Sequence, residues 1–156
     1  MLASRTLASL VAFVAIACSG ALAQGESHTV TFNNRCGMGT NGNVLSTGGQ
    51  YTSPGPLVGG IAYLQTGNCG ANGENCLTVE MTLRNPQSPG AGSSTDLTLI
   101  PPHEFSVTTG FAYTNGCDGQ GHTCSAQNCD TAFHQPNDNN ALQCEVNNVG
   151  LTITFC

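Results

Sequence analysis

Apolar residues recur at every second position along most of this chain. Leu77, Val79, Met81 and Leu83 fall on one face of an extended segment, with Thr78, Glu80 and Thr82 on the other. Val30 and Phe32 alternate with threonines, and Leu97 with Leu99, Phe105 with Val107, and Leu151, Ile153 and Phe155 repeat the habit. This period of two predicts half-buried β-strands. No helical run with caps interrupts them. Stretches rich in Gly, Asn, Pro and Ser separate the strands, at Gly37–Asn43, Ser53–Gly60, Asn85–Ser94 and Gly116–Gly121, as turn geometry requires. The polar segment Asn128–Gln143 reads as a loop tied down by Cys129 and Cys144. The fold class expected is all-β: one domain, a disulfide-stapled antiparallel β-sandwich.

The amino end follows a different pattern. Arg5, the apolar run Leu7–Ala17 and then Ala21-Leu22-Ala23 read as a signal peptide over residues 1–23, cleaved after Ala23. Removing it takes away Cys18 and leaves eight of the nine cysteines, an even number, in residues 24–156. A small chain without lysine whose cysteines can all pair is expected to be secreted and held together by four disulfides. No Cys-X-X-Cys redox motif is present.

Charge narrows the partners. Beyond the leader, only Arg35 and Arg84 stand against nine acidic residues. No basic stripe exists to hold nucleic acid, and the balance opposes an anionic membrane. Neutral polysaccharides and cationic partners remain open. The four histidines, His28, His103, His122 and His134, lack close metal-ligand spacing, and oxidised thiols cannot ligate zinc, so no cofactor or metal is expected. Only processing at Ser27 would change this, by making His28 an N-terminal copper chelator with His103 as partner. Asp118-Gly119-Gln120-Gly121 lacks the ligands of an EF-hand and reads as a turn.

The first and last cysteines lie in Phe32-Asn33-Asn34-Arg35-Cys36 and Thr152-Ile153-Thr154-Phe155-Cys156. In this the chain resembles the thaumatin-like family, which opens on an Asn-Asn-Cys strand and closes on Thr-Phe-Cys. Gly48-Gly49, Ile61 to Cys69, Glu80-Met81-Thr82-Leu83, Asp96 to Ile100, Phe105-Ser106-Val107 and Gly116-Cys117 to Cys129 follow in the family's order, so the resemblance spans residues 28–156. The cysteine-rich second domain of full-size members is missing between Cys129 and Cys144. The resemblance implies the pairs Cys36–Cys156, Cys69–Cys76 and Cys117–Cys144, leaving Cys124 and Cys129 to each other.

Full-size relatives carry an acidic cleft associated with β-1,3-glucan binding and sometimes weak hydrolysis. The resemblance puts its glutamate at Glu80 and its first aspartate at Asp96. Gln65 stands at the arginine position and Pro101 at the second aspartate position, and the third aspartate belonged to the missing domain. Period two turns Glu80 and Asp96 away from the apolar face, where neighbouring strands could set them side by side. The wall that would desolvate one of them is expected to be gone. The pair can then be solvated strand residues, a sugar-binding remnant, or the acid and base of a glycosidase.

Tyr51 and Tyr113 are the rings expected at the surface to lie against a sugar, while Tyr63 is expected in a strand and in the core. The function expected is binding of a cell-wall polysaccharide, β-1,3-glucan by the resemblance, with no strong catalysis. The alternatives are a secreted effector or defence protein acting on a protein partner through loops Gly37–Thr47 and Pro86–Ser94, or a weak β-1,3-glucanase.

Overall fold

In a computed structural model, residues 25–37 and 48–156 are described. The expected signal peptide and most of the stretch Gly37–Thr47, expected as an interaction loop, therefore lie outside the described residues. Nine strands form two sheets, with no helix among the described residues. They are β1 (His28–Asn34), β2 (Gly49–Ser53), β3 (Leu57–Ala62), β4 (Thr78–Leu83), β5 (Ser93–Thr98), β6 (Thr109–Thr114), β7 (Gly121–Cys124), β8 (Leu142–Cys144) and β9 (Gly150–Phe155). The five-stranded sheet runs β2-β1-β9-β6-β7 and the four-stranded sheet β3-β4-β5-β8.

Alternation decides which side chains meet between the sheets. On β9, Leu151, Ile153 and Phe155 are fully buried, while Thr152 and Thr154 point outward. On β4 and β5, Val79, Met81, Leu83 and Leu97 face them, and Phe111 and Tyr113 of β6 complete the layer. Burial of this apolar surface, at about 25 cal/mol per Å2, supplies the main driving force of folding.

Eight of the cysteines form Cys36–Cys156, Cys69–Cys76, Cys117–Cys144 and Cys124–Cys129. These are the same four pairs that the resemblance implied. Four disulfides indicate an oxidising, non-cytosolic environment. Among the described residues no helix is long and apolar enough to cross a membrane.

The first bridge has a simple origin. β1 pairs with β9 in parallel, Val30 opposite Leu151 through to Asn34 opposite Phe155, so both strands end at the same place. Arg35 N–H then donates to the Phe155 carbonyl at 2.8 Å, and the next residues, Cys36 and Cys156, meet. This is the one parallel pair among the nine strands; the other pairings are antiparallel, as in the sandwich expected.

Two other expectations need correction. Phe105 and Val107 do not form a strand; the strand starts at Thr109. Their segment is held as a loop by side chains, with Leu77 N–H donating to Ser106 Oγ at 3.2 Å and Phe105 N–H to Gln127 Oε1 at 2.8 Å. The stretch Ser53–Gly60, read as a turn from its glycines and prolines, contains most of β3. Its glycines instead serve a bulge between Leu57 and Gly60, with Gly59 at a φ of 64°.

The amino-terminal segment is clasped to the far end of the sandwich. Glu26 Oε1 accepts Asn85 N–H at 2.6 Å and lies 3.1 Å from His28 Nε2, while His28 Nδ1 lies 2.8 Å from the Val149 carbonyl. The buried His28 ring is thus occupied by protein partners on both nitrogens. His103 Nδ1 likewise lies 2.9 Å from the Gly73 carbonyl. Among the described residues no three potential metal ligands gather.

Candidate functional site

The outer face of the four-stranded sheet carries the chemistry. Register sets Ile61 of β3 opposite Glu80 of β4, and Glu80 opposite Asp96 of β5, so the three make one row across the sheet. Cross-strand neighbours on one face have Cβ atoms about 4.5–5.5 Å apart. Thr82 and Ser94 form the next pair along. Together with Gly59, Gly60 and Met81 these residues line a shallow depression of about 240 Å3.

Glu80 is exposed and Asp96 is half-buried. Among the described residues the one ion pair joins Glu26 to His28, so neither carboxylate of the row has a cation beside it. Burial, and secondarily the Glu80 carboxylate, push Asp96 up from 3.8 to about 6. Asp96 is therefore partly desolvated, contrary to the expectation that its desolvation went with the missing domain. Thr95 pairs with Leu142 of β8 on one side of Asp96, and the Leu97 carbonyl accepts Phe133 N–H at 2.8 Å on the other.

The remaining expected site residues disperse. Gln65 is committed to the fold: its Nε2 donates to the Cys69 carbonyl at 2.9 Å, and its Oε1 accepts N–H from Gly67 at 2.9 Å and Cys69 at 3.2 Å. It shapes the entry to the short Cys69–Cys76 loop, with both its amide nitrogen and its amide oxygen engaged there. Tyr113 is corrected from a surface ring to a core residue. It is fully buried, its hydroxyl donating to the Leu142 carbonyl at 2.8 Å and lying 3.1 Å from Thr95 Oγ1. An odd-numbered position on β6, in phase with Phe111, carries it inward. Tyr63 follows the last residue of β3 and is half-buried, so it is neither a strand nor a core residue; its hydroxyl donates to the Ala71 carbonyl at 3.1 Å. Tyr51 is 53% exposed, as a surface ring should be. Pro101 lies in the loop after β5 and brings no carboxylate.

Tyr51, Tyr63 and Gln65 line a second hollow, an apolar cleft of about 320 Å3 with Phe32, Leu57 and Met81. It opens on the opposite side of β3 from the acidic row, sharing Gly60, Ile61 and Met81 with the depression there. Reading the sequence missed both this cleft and the partners Ile61, Thr82 and Ser94. Two-residue spacing from Glu80 and Asp96 was a usable signal for Thr82 and Ser94. The cleft left none, because it forms only when β2 and β3 come together at the sandwich edge. Asp118 does form a turn, its carboxylate accepting N–H from Asn115 at 3.0 Å and Gly116 at 3.2 Å.

Compared with models of known protein families and with curated proteins, the sequence has no match.

Proposed function

We propose that this is a secreted, extracellular polysaccharide-binding protein of small thaumatin-like type, with the row Ile61–Glu80–Asp96 as its sugar site and a β-1,3-glucan of the cell wall as its ligand. The observation that carries the reading is the opposed, uncompensated carboxylate pair. A fold gains nothing from holding Asp96 half-buried next to Glu80 with no cation, and sites that retain such groups are commonly functional. Ionised carboxylates accept strong hydrogen bonds from sugar hydroxyls. Thr82 and Ser94 add hydroxyls of their own, and Ile61 offers an apolar surface to the sugar's C–H face.

The raised pKa of Asp96 favours a second reading, weak hydrolysis. Below about pH 6 Asp96 keeps its proton and can serve as general acid, while Glu80 provides the opposing carboxylate. Cross-strand opposition sets the two Cβ atoms about 4.5–5.5 Å apart, so both carboxyl groups can reach one bound sugar.

Co-sedimentation of the mature protein with insoluble β-1,3-glucan, chitin and cellulose tests the first reading. Retention on glucan that Glu80→Gln or Asp96→Asn abolishes supports it. No retention, or retention untouched by both substitutions, overturns it. Any hydrolysis that survives Glu80→Gln removes the second reading.

A further inference from the structure

Of the four large hydrophobic side chains exposed among the described residues, three lie together at one sandwich edge: Tyr51 at 53%, Val58 at 67% and Ile61 at 42%. Val58 and Ile61 are on β3, which among the described residues pairs only with β4, so its other side is a sheet edge there. Edges β8 and β7 are better protected, while β2, the fourth edge, is also exposed and brings Tyr51 to the same corner. β8 has three residues, and β7 is closed by the Cys124–Cys129 bridge and by Thr131 Oγ1 donating to the Thr123 carbonyl at 2.8 Å. Edge strands are ordinarily guarded by lysine, proline, inward-pointing charge or a bulge; β3 reads Leu-Val-Gly-Gly-Ile-Ala and has only the bulge between Leu57 and Gly60, which leaves the stretch from Gly60 to Ala62 open.

We infer that the β3 edge is a docking site for an extended peptide segment of another protein in which basic and apolar residues alternate. This goes beyond the polysaccharide reading and does not depend on it.

Three features of the edge specify that occupant. An added strand lies about 4.7–4.9 Å from β3 and exposes alternate side chains to the two faces of the sheet. Side chains turned inward enter the apolar cleft between β2 and β3, past Leu57 and Tyr51. Side chains turned outward join the row of Ile61, Glu80 and Asp96. A lysine or arginine opposite Ile61 stands two strand spacings from Glu80, about 9–10 Å between backbones. Its aliphatic stem can lie over Ile61 while its cation meets the carboxylate. Glu80 and Asp96 have no cation of their own, so the complementarity is unopposed. The bulge sets the limit: Gly59 N–H is turned to Thr82 Oγ1 at 3.2 Å, so backbone pairing starts at Gly60 and the interface is short.

Fluorescence anisotropy with the mature protein and labelled six-residue peptides tests this. The probes are alternating Lys/Val, alternating Glu/Val and alternating Lys/Ser. The expected result is saturable binding of Lys/Val alone, weakened by salt because part of the attraction is between exposed charges. Val58→Lys, at a site 67% exposed and outside the sugar row, should weaken binding about tenfold while leaving glucan retention unchanged. Ile61→Lys, which sets a like charge in front of the peptide, should do the same to peptide binding. Amide exchange at Gly60–Ala62 should slow in the complex. Equal binding of Lys/Ser, full affinity in Val58→Lys and Ile61→Lys, or protection at a different strand would each overturn the proposal. Loss of glucan binding with peptide binding intact would instead count against the sugar site alone.

Discussion

Replacing Asp96 with asparagine should make this protein more stable at neutral pH and leave it unchanged in acid. In the fold the carboxyl is raised from 3.8 to about 6, first by burial and then by the Glu80 carboxylate opposite it. At 1.36 kcal/mol per pKa unit, ionising it in the native state costs up to about 3 kcal/mol more than in the unfolded chain. Asp96 is only half-buried and water screens it, which reduces the figure to roughly 1–2 kcal/mol. The sign follows from proton binding. Between about pH 4 and pH 6 the native state holds the proton more tightly, so stability falls as pH rises through that window and levels off above it. Asparagine removes the charge and with it the slope. Guanidinium unfolding of both proteins, disulfides intact, at about pH 4 and about pH 7.5 reads the difference. The variant should gain roughly 1–2 kcal/mol at the higher pH and nothing beyond error at the lower. An equal gain at both pH values would trace the effect to packing, and a loss at neutral pH would refute the account of Asp96 as a destabilising charge.

Other predictions follow from the same geometry. Replacing both Cys36 and Cys156 with serine opens a bridge of sequence separation 120 and should cost about 4–5 kcal/mol in chemical denaturation. Tyr113→Phe strands the Leu142 carbonyl in the core and should lower stability by about 1–2 kcal/mol without altering any ligand binding, whereas a surface ring would behave the opposite way. Glu26 is held below the ordinary carboxylate range by Asn85 N–H and then by His28, so its contribution is present at neutral pH and lost as the solution is acidified through that range. Glu26→Gln should therefore flatten the acid limb of a melting-temperature profile, opposite in direction to Asp96→Asn.

Strands whose faces differ sharply were legible in the sequence. Leu77 to Leu83 and Leu151 to Phe155 alternate cleanly because one face is core and the other water, and both became central strands. The edge strands were not legible. β3 is mostly exposed and its glycines serve a bulge, so it lacks the alternation that burial imposes. The same reasoning explains the site. Glu80 and Asp96 were identifiable as outward-facing acids, and the register makes them partners. Gln65 was not identifiable as a structural residue, since its three hydrogen bonds form only when the turn at Gly67 folds Cys69 back onto its side chain. Desolvation of Asp96 was equally hidden, because burial of an outward-facing strand residue depends on the packing around β5 and leaves no mark on the local alternation.

The most direct test of the sugar site is a chemical-shift titration of the 15N-labelled mature protein with a soluble β-1,3-glucan oligosaccharide. The account predicts perturbations centred on Ile61, Glu80, Thr82, Ser94 and Asp96, reduced in the Asp96→Asn variant. Perturbations confined to another surface, or none at saturating oligosaccharide, would contradict it.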